Sequence, residues 1–168
     1  MEKFLVGMAD IHVSKGPAQY TCLGLGSCIG LALYCPESGV SGMIHIMLPE
    51  AFKDREIDKI GKFADTGIPE LLDRMKKMGA NTGRLKCAYA GGAQVFKFGD
   101  ASASKLDVGK RNAEAVHLIL ENLRLRPVAH DTGGNSGRTV IFITESGEIT
   151  VRTVSAGESR LCNFKKAA

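Results

Sequence analysis

LGLGSC, residues 23–28, joins two apolar runs and places a thiol, Cys28, directly after a glycine-rich turn. Further along the chain, GMIHIMLP, residues 42–49, carries His45 within a short strand-like run. If the apolar runs next to these segments pair in a sheet, the thiol and the imidazole can meet. A cysteine close to a histidine is the minimum that nucleophilic chemistry on an acyl group requires.

Short runs rich in β-branched and aromatic residues recur along the chain and are typical of strands. Turn residues at positions 36–39 and 145–148 separate successive runs and predict two β-hairpins. The first hairpin would carry Cys28 and His45 on its two arms. The predicted strands are Phe4–Met8, Gln19–Leu25, Ile29–Tyr34, Gly42–Leu48, Leu85–Ala90, Val128–His130, Thr139–Thr144 and Ile149–Val154.

Two stretches with apolar residues at helical spacing predict helices. The first is expected over Gly67–Met78 with Thr66 as its N-cap, and the second over Val108–Arg124 with Asp107 as its N-cap. Together with the strands, they predict one domain over residues 1–168 of the α/β class, in the α+β arrangement. We expect a layered sandwich of mainly antiparallel β-sheet with two main helices packed on it.

The composition argues against several classes of function. Hydrophobic residues make up 44% of the chain and charged residues 24%, as in an ordinary globular protein. No apolar run approaches the roughly 20 residues of a membrane span, so no membrane insertion is expected. The net charge of +4 is spread along the chain, and the aromatic residues are only seven Phe and three Tyr, which argues against nucleic-acid binding.

Five cysteines and four histidines are scattered along the chain, and no two cysteines have C-x-x-C spacing. A structural zinc site is therefore not expected, and no metal ligands are predicted. An odd number of cysteines without an export signal favours reduced thiols and a cytoplasmic location.

Cys28 has two interpretations. A buried, inert thiol is the commonest state of a free cysteine. Three features favour a nucleophile instead: Gly24 and Gly26 allow tight backbone geometry before it, successive N–H groups in this turn can bind a developing oxyanion, and His45 lies on the facing arm. Strand alternation places His45 on the face of Met43. For His45, the alternative is a buried imidazole bonded to the backbone.

Six short segments stand out along the chain: Leu23–Cys28, Gly42–Pro49, Lys62–Thr66, Gly91–Phe96, Val108–Asn112 and Asp131–Arg138. In this order, and covering roughly residues 4–155, they closely resemble the motifs of the CheD family of chemoreceptor glutamine deamidases. Each segment alone is moderately specific, and the six in order make a strong resemblance.

The resemblance implies a chemotaxis protein that hydrolyses selected glutamine amides of chemoreceptors to glutamate and releases ammonia. It also implies a layered fold like the catalytic domain of the cytotoxic necrotizing factor toxins. Cys28 would be the nucleophile and His45 the base, forming a thiolate–imidazolium pair, with no metal or organic cofactor. The implied partners are the cytoplasmic helices of chemoreceptors and, in many systems, the phosphatase CheC, which acts on the phosphorylated response regulator CheY.

One position departs from the family pattern. Members often have Thr directly before LGLGSC as a proposed third catalytic residue, whereas here Cys22 occupies that position and Thr21 lies one residue earlier. On a strand, a shift of one residue changes the face. Thr21 reaches the site through a bulge, or Cys22 supports His45, or a backbone carbonyl orients the imidazole. The sequence leaves these three alternatives open.

The glycine-rich motifs have a functional and a structural interpretation. As ordinary turns they only redirect the chain, whereas in a site they bind the oxyanion and shape the cleft around the glutamine. Asn112 is expected to cap or buttress a loop. Phe96 either borders the cleft or is buried in the core, and Lys97–Ser104 is expected to form a mobile loop at the cleft rim. The candidate oxyanion and substrate-binding residues are Gly26, Ser27, Gly91, Gly92, Asp131, Gly133 and Gly134.

Two other functions fit the same residues. The first is a non-catalytic interaction protein that regulates a CheC-type phosphatase, and the altered position before LGLGSC makes this worth testing. The second is a different Cys-His amide hydrolase or a transglutaminase-like enzyme with another acceptor. Formation of a new isopeptide in the presence of an added amine separates the second from hydrolysis.

Overall fold

Two five-stranded β-sheets and two α-helices make up the part of the chain that the computed structural model describes, which is residues 1–94 and 107–166. The predicted cleft residues Phe96 and Lys97–Ser104 lie outside this part. The helices are α1 Ala64–Lys77 and α2 Val108–Asn122. The strands are β1 Glu2–Leu5, β2 Ile11–Lys15, β3 Ala18–Leu25, β4 Ile29–Tyr34, β5 Val40–Ile46, β6 Lys86–Gly91, β7 Pro127–Thr132, β8 Arg138–Ile143, β9 Glu148–Thr153 and β10 Gly157–Asn163.

The two sheets are mixed but mainly antiparallel. The outer sheet has the order β1-β3-β8-β9-β10, and the central sheet has the order β2-β5-β4-β6-β7. Only the pairs β1–β3 and β6–β7 are parallel among these ten strands. The predicted hairpins β4–β5 and β8–β9 are confirmed.

The central sheet lies between the helices and the outer sheet, which gives three layers. Every residue of β4 and β5 is buried, as expected for strands that are covered on both faces. On one face, Leu31 and Ile44 pack in a core with Ile68 of α1. On the other face, Met43 packs with Phe142 of the outer sheet. The prediction of a layered α+β sandwich is confirmed, and it contains two sheets.

The start of α1 differs from the prediction. The helix begins at Ala64, about one turn before the expected start, and Thr66 is not its N-cap. The Thr66 hydroxyl donates instead to the carbonyl oxygen of Ile60 at 2.7 Å. The N–H of Ala64, an N-terminal donor without an intrahelical partner, donates to the carbonyl of Leu48 at 2.9 Å. A tertiary contact thus replaces the local cap, and the sequence pattern does not show it.

The start of α2 agrees with the prediction. The Asp107 side chain accepts a hydrogen bond from the N–H of Lys110 at 2.9 Å, which is the N-cap arrangement. The helix ends at Asn122, two residues before the expected end, and Arg124 adopts a left-handed conformation with φ of 59°. Neither helix in the described ranges is long and apolar enough to cross a lipid bilayer.

The sequence pattern did not predict two of the edge strands. β2 and β10 lie at the ends of their sheets, and most of β10 is exposed, so neither shows the apolar pattern of a covered strand. β1 covers Glu2–Leu5 instead of Phe4–Met8. The segment after β1 leaves the strand conformation and, as described below, contributes a carbonyl group to the site.

Candidate active site

The hairpin β4–β5 brings Cys28 and His45 to the same end of the central sheet. His45 pairs with Gly30 in the register, and Cys28 directly precedes β4. Cys28 packs against the core between the sheets, the face that His45 shares with Met43 by strand alternation. The two residues therefore lie on one face at the same end of the hairpin, Cys28 one position beyond the terminal pair Ile29–Ile46 and His45 one position before it. Cys28 is half-buried, and His45 is 4% exposed.

The backbone of the segment after β1 orients the imidazole. The Nδ1 atom of His45 lies 3.0 Å from the carbonyl oxygen of Val6. Because a carbonyl can only accept, the neutral ring carries its hydrogen on Nδ1 and leaves Nε2 as the proton acceptor. Val6 is held in turn by its N–H, which donates to the carbonyl oxygen of Thr21 at 2.8 Å.

This contact bears on the three alternatives for the third residue. The Cys22 side chain is fully buried between the sheets, and its Sγ lies 3.2 Å from where a Cβ of Gly30 would be. Thr21 is half-buried on the opposite face of β3. The bulge in β3 falls between Cys22 and Leu25, so it does not turn Thr21 inward. Of the three, the carbonyl of Val6 is the group that contacts the imidazole.

Burial favours the neutral forms of both reacting groups. It raises the pKa of the Cys28 thiol above its usual range. It also lowers the pKa of the His45 imidazole, although the Val6 carbonyl and Asp10 act in the opposite direction. These directions favour a thiol beside a neutral imidazole at rest, in contrast to the resting thiolate–imidazolium pair expected from the sequence. Proton transfer would then accompany attack on the substrate.

Neighbouring groups hold all three carbonyls of the loop Gly26–Cys28. The N–H of Ala93 donates to Gly26 at 2.8 Å, and the N–H of Gly92 donates to Cys28 at 2.9 Å. The side-chain Nδ2 of Asn112 donates to Ser27 at 2.8 Å. Among the described residues, the N–H groups of Ser27 and Cys28 have no acceptor. Free N–H groups beside a nucleophile are the arrangement that binds an oxyanion.

Gly91 and Gly92 let two backbone segments approach the Cys28 loop. Gly91 has φ of +123°, and a Cβ there would collide with the carbonyl oxygen of Cys28. A Cβ at Gly92 would lie 2.7 Å from the carbonyl oxygen of Gly109 at the start of α2. Any larger residue at Gly91 must therefore displace the loop that carries the thiol.

A buried arginine joins the two glycine-rich motifs. Arg138 donates from Nη1 to the carbonyl of Gly91 at 3.1 Å and from Nη2 to that of Gly133 at 2.8 Å. Its Nη2 also lies 3.4 Å from a carboxylate oxygen of Asp131. The N–H of Gly133 donates to the carbonyl of Gly91 at 3.2 Å. The predicted substrate-binding motifs thus meet beside the Cys28 loop, although Arg138 itself had no predicted role.

A cavity of about 420 Å³ opens next to this meeting point. Its walls include Gly92, Gly133 and Gly134 from the predicted set, together with Asp107 and Lys110 from the start of α2. Asn112 follows within the same helix and buttresses the Cys28 loop, as expected. In the described ranges, no group of three or more His, Cys, Asp or Glu side chains is arranged to hold a metal ion.

Comparison with known proteins shows the family to which the chain belongs. The family described as "CheD chemotactic sensory transduction" matches residues 47–153. A protein of Lachnoclostridium phytofermentans is 46% identical over 160 residues, which are 95% of this chain and 99% of that protein. A relative from Clostridium tetani has 42% identity over 94% of both chains, and one from Desulforamulus reducens has 44% identity over 90% of both chains. All three are named probable chemoreceptor glutamine deamidase CheD, and the chain belongs to the CheD family.

Proposed function

We propose that this protein hydrolyses the side-chain amides of chemoreceptor glutamines to glutamate, with Cys28 as the nucleophile and His45 as the base. Its relatives are named for this activity. The proposal is supported by the register of the hairpin, which pairs His45 with Gly30, two residues after Cys28. A reaction between a thiol, an amide and water needs no cofactor.

In the first half-reaction, Nε2 of His45 takes the Cys28 proton as the sulfur attacks the amide carbon. A C–S bond forms, and the electron pair of the C=O bond moves to oxygen. We infer that the N–H groups of Ser27 and Cys28 stabilise this charge. His45 then returns the proton to the amide nitrogen, the C–N bond breaks, and ammonia leaves a thioester on Cys28.

In the second half-reaction, the neutral imidazole takes a proton from water, and the resulting hydroxide attacks the thioester carbon. The C–S bond breaks, the imidazolium returns its proton to the Cys28 sulfur, and the product carboxylic acid gives up its remaining proton to solvent and leaves as the glutamate carboxylate. The Val6 carbonyl accepts from Nδ1 throughout. It therefore stabilises the transient imidazolium and keeps Nε2 directed at the reacting atoms.

The substrate and partners follow from this activity. We infer that the glutamines lie on cytoplasmic receptor helices, which places the protein in the cytoplasm. Binding of a CheC-type phosphatase at the same cleft would compete with the receptor. In that case the phosphatase raises the apparent KM for the receptor without lowering kcat, whereas separate surfaces predict no such competition.

The test is co-expression with a chemoreceptor from the same genome, followed by mass spectrometry of the receptor. We expect wild type to convert specific glutamines to glutamate and Cys28→Ala to convert none. Cys162→Ala, which removes another half-buried thiol, serves as the matched control and is expected to remain active. An active Cys28→Ala protein excludes the thioester mechanism, and an isopeptide product with added amine identifies a transglutaminase instead.

A further inference from the structure

A single buried amide connects the two segments that carry the reacting groups. Asn112 is 0% exposed, and its Nδ2 donates to the carbonyl of Ser27 at 2.8 Å and to that of Met47 at 2.9 Å. Ser27 directly precedes Cys28, and Met47 follows His45 by two residues. We propose that Asn112 is a positioning residue that fixes the nucleophile relative to the base, an inference that rests on the proposed function.

The end of the hairpin explains why such a link is needed. The β4–β5 ladder stops at the pair Ile29–Ile46. Beyond this pair, the N–H of Met47 donates to the carbonyl of Lys62 at 2.9 Å, so the chain after β5 turns away towards α1. The loop before β4 turns towards β6 instead, through the hydrogen bonds to Gly92 and Ala93 described above. Asn112 spans the gap that these two departures leave.

The chemistry of the bridge fits an asparagine. Two carbonyl oxygens that face one point need a donor with two hydrogens, and the carboxamide nitrogen supplies both. A flipped amide would place oxygen against oxygen, so the orientation follows from the partners. The Oδ1 atom is buried and has no hydrogen-bond partner among the described residues. An amide that leaves one buried acceptor unsatisfied is destabilising by itself.

Loss of the bridge should impair turnover more than binding. Without Nδ2, the Cys28 loop and the strand end that follows His45 can separate, and a displacement of about 1 Å costs about 100-fold in rate. The amide is buried and does not reach the surface, so KM for the receptor should change little. Asn112→Ala removes the bridge, and Asn112→Asp keeps the volume but offers at most one hydrogen. We expect both variants to lose about 100-fold in kcat with KM nearly unchanged.

Thr144→Val is the matched structural control. The Thr144 hydroxyl is buried and accepts from the N–H of Ala18 at 2.8 Å. Ala18 begins β3 and Leu25 ends it, so this hydrogen bond lies about 23 Å along the strand from the Cys28 end. We expect Thr144→Val to lower Tm to an extent comparable with the Asn112 variants and to leave kcat unchanged.

Alkylation of Cys28 by iodoacetamide, followed from pH 5.5 to 9, gives a second measure that needs no receptor. In wild type, we expect the rate to depend on His45. In Asn112→Asp, the rate and its pH profile should match those of His45→Ala. Folded Asn112 variants with kcat within threefold of wild type, or a kcat loss that only follows the unfolded fraction, would overturn the inference. Failure of the proposed function is a different result, in which wild type does not deamidate or Cys28→Ala stays active.

Discussion

Cys22 and Cys28 lie on either side of the Gly26–Ser27 turn and face the same space between the two sheets, yet they have different surroundings. Burial raises the pKa of both thiols, to about 12 for Cys22. Cys22 is enclosed by the core, whereas Cys28 is half-buried in a loop whose N–H groups at Ser27 and Cys28 find no acceptor in the described part of the chain, and His45 lies on the same face. If Cys28 is the nucleophile, as proposed above, what distinguishes it from Cys22 is an acceptor for its proton and donors for the developing oxyanion, not acidity at rest.

Among substitutions that keep the Cys28 thiol, removal of the proton acceptor should have the largest effect. His45→Gln leaves an amide near the Val6 carbonyl but no base, so we expect a kcat loss of about 1,000-fold, in the middle of the range for a general base. Alkylation of Cys28 should fall towards the low rate of Cys22. The measurement is receptor deamidation together with the labelling rate of each cysteine.

His117→Gln is the control, because its imidazole is on the surface of α2 with its side chain 57% exposed. This variant should keep wild-type kcat. If His45→Gln retains more than a tenth of the wild-type kcat, the difference between the two thiols has another cause and the base is misassigned.

A smaller loss is expected when the loop backbone is displaced. Gly91→Ala introduces a Cβ that collides with the Cys28 carbonyl, at a φ that alanine adopts poorly. We expect kcat to fall about 100-fold, as for a misplacement of about 1 Å, and the free energy of unfolding to fall by about 2–3 kcal/mol. Urea denaturation and deamidation kinetics measure the two effects.

Gly157→Ala is the control that separates the backbone strain of Gly91→Ala from the collision of its Cβ with the Cys28 carbonyl. Gly157 has φ of +69°, and the space that a Cβ would occupy there is open, so only the conformational strain of about 1–2 kcal/mol applies. Its kcat should equal that of wild type. A Gly91→Ala protein with normal kcat would show that the position of the Cys28 carbonyl does not matter for turnover.

The buried thiol makes a prediction on stability at alkaline pH. In the unfolded chain Cys22 ionises near its ordinary pKa, about 8.5, whereas in the fold its pKa is about 12. The folded state therefore binds more protons between these values, and the free energy of unfolding falls as pH rises through this range. At pH 10 this difference in the pKa of Cys22 lowers the free energy of unfolding by about 2 kcal/mol.

Cys22→Ala should abolish that contribution. We expect the variant to lose less stability than wild type between pH 8 and pH 10, measured as the free energy of unfolding in urea at each pH. Parallel pH profiles for the two proteins would mean that Cys22 ionises in the fold with little penalty.

Features determined by neighbouring residues were predictable from the sequence. The turn residues between β4 and β5 predict the hairpin, and Asp107 before an apolar helical pattern predicts the α2 cap. Cys28 and His45 stand out because their side chains have chemistry and the pattern places them on facing strands. The structure brings the glycine motifs together as expected, although their role in substrate binding stays a prediction.

The remaining features depend on contacts between distant segments. The α1 start is set by the Leu48 carbonyl, and Val6 holds His45 through its backbone, which carries no residue-specific signal. Edge strands such as β10 lack a buried face and therefore an apolar pattern. Arg138 offered a weak signal, since a cation within a glycine-rich segment often binds carbonyl groups there, but its partner Gly91 is distant in sequence.

The smallest effect concerns the position that departs from the family pattern. Cys22→Thr introduces the residue that family members often have, but the Val6 carbonyl already holds Nδ1 of His45 at 3.0 Å. Because this contact already fixes the orientation of the ring, the added hydroxyl is not needed for that purpose. Without a partner in this fully buried position, the hydroxyl should lower stability by about 1–2 kcal/mol. We expect kcat to change less than threefold in Cys22→Thr and equally little in Cys22→Ala, in deamidation assays on one receptor. A rise above tenfold in Cys22→Thr alone would show that a hydroxyl at this position takes part in turnover and that the backbone carbonyl does not suffice.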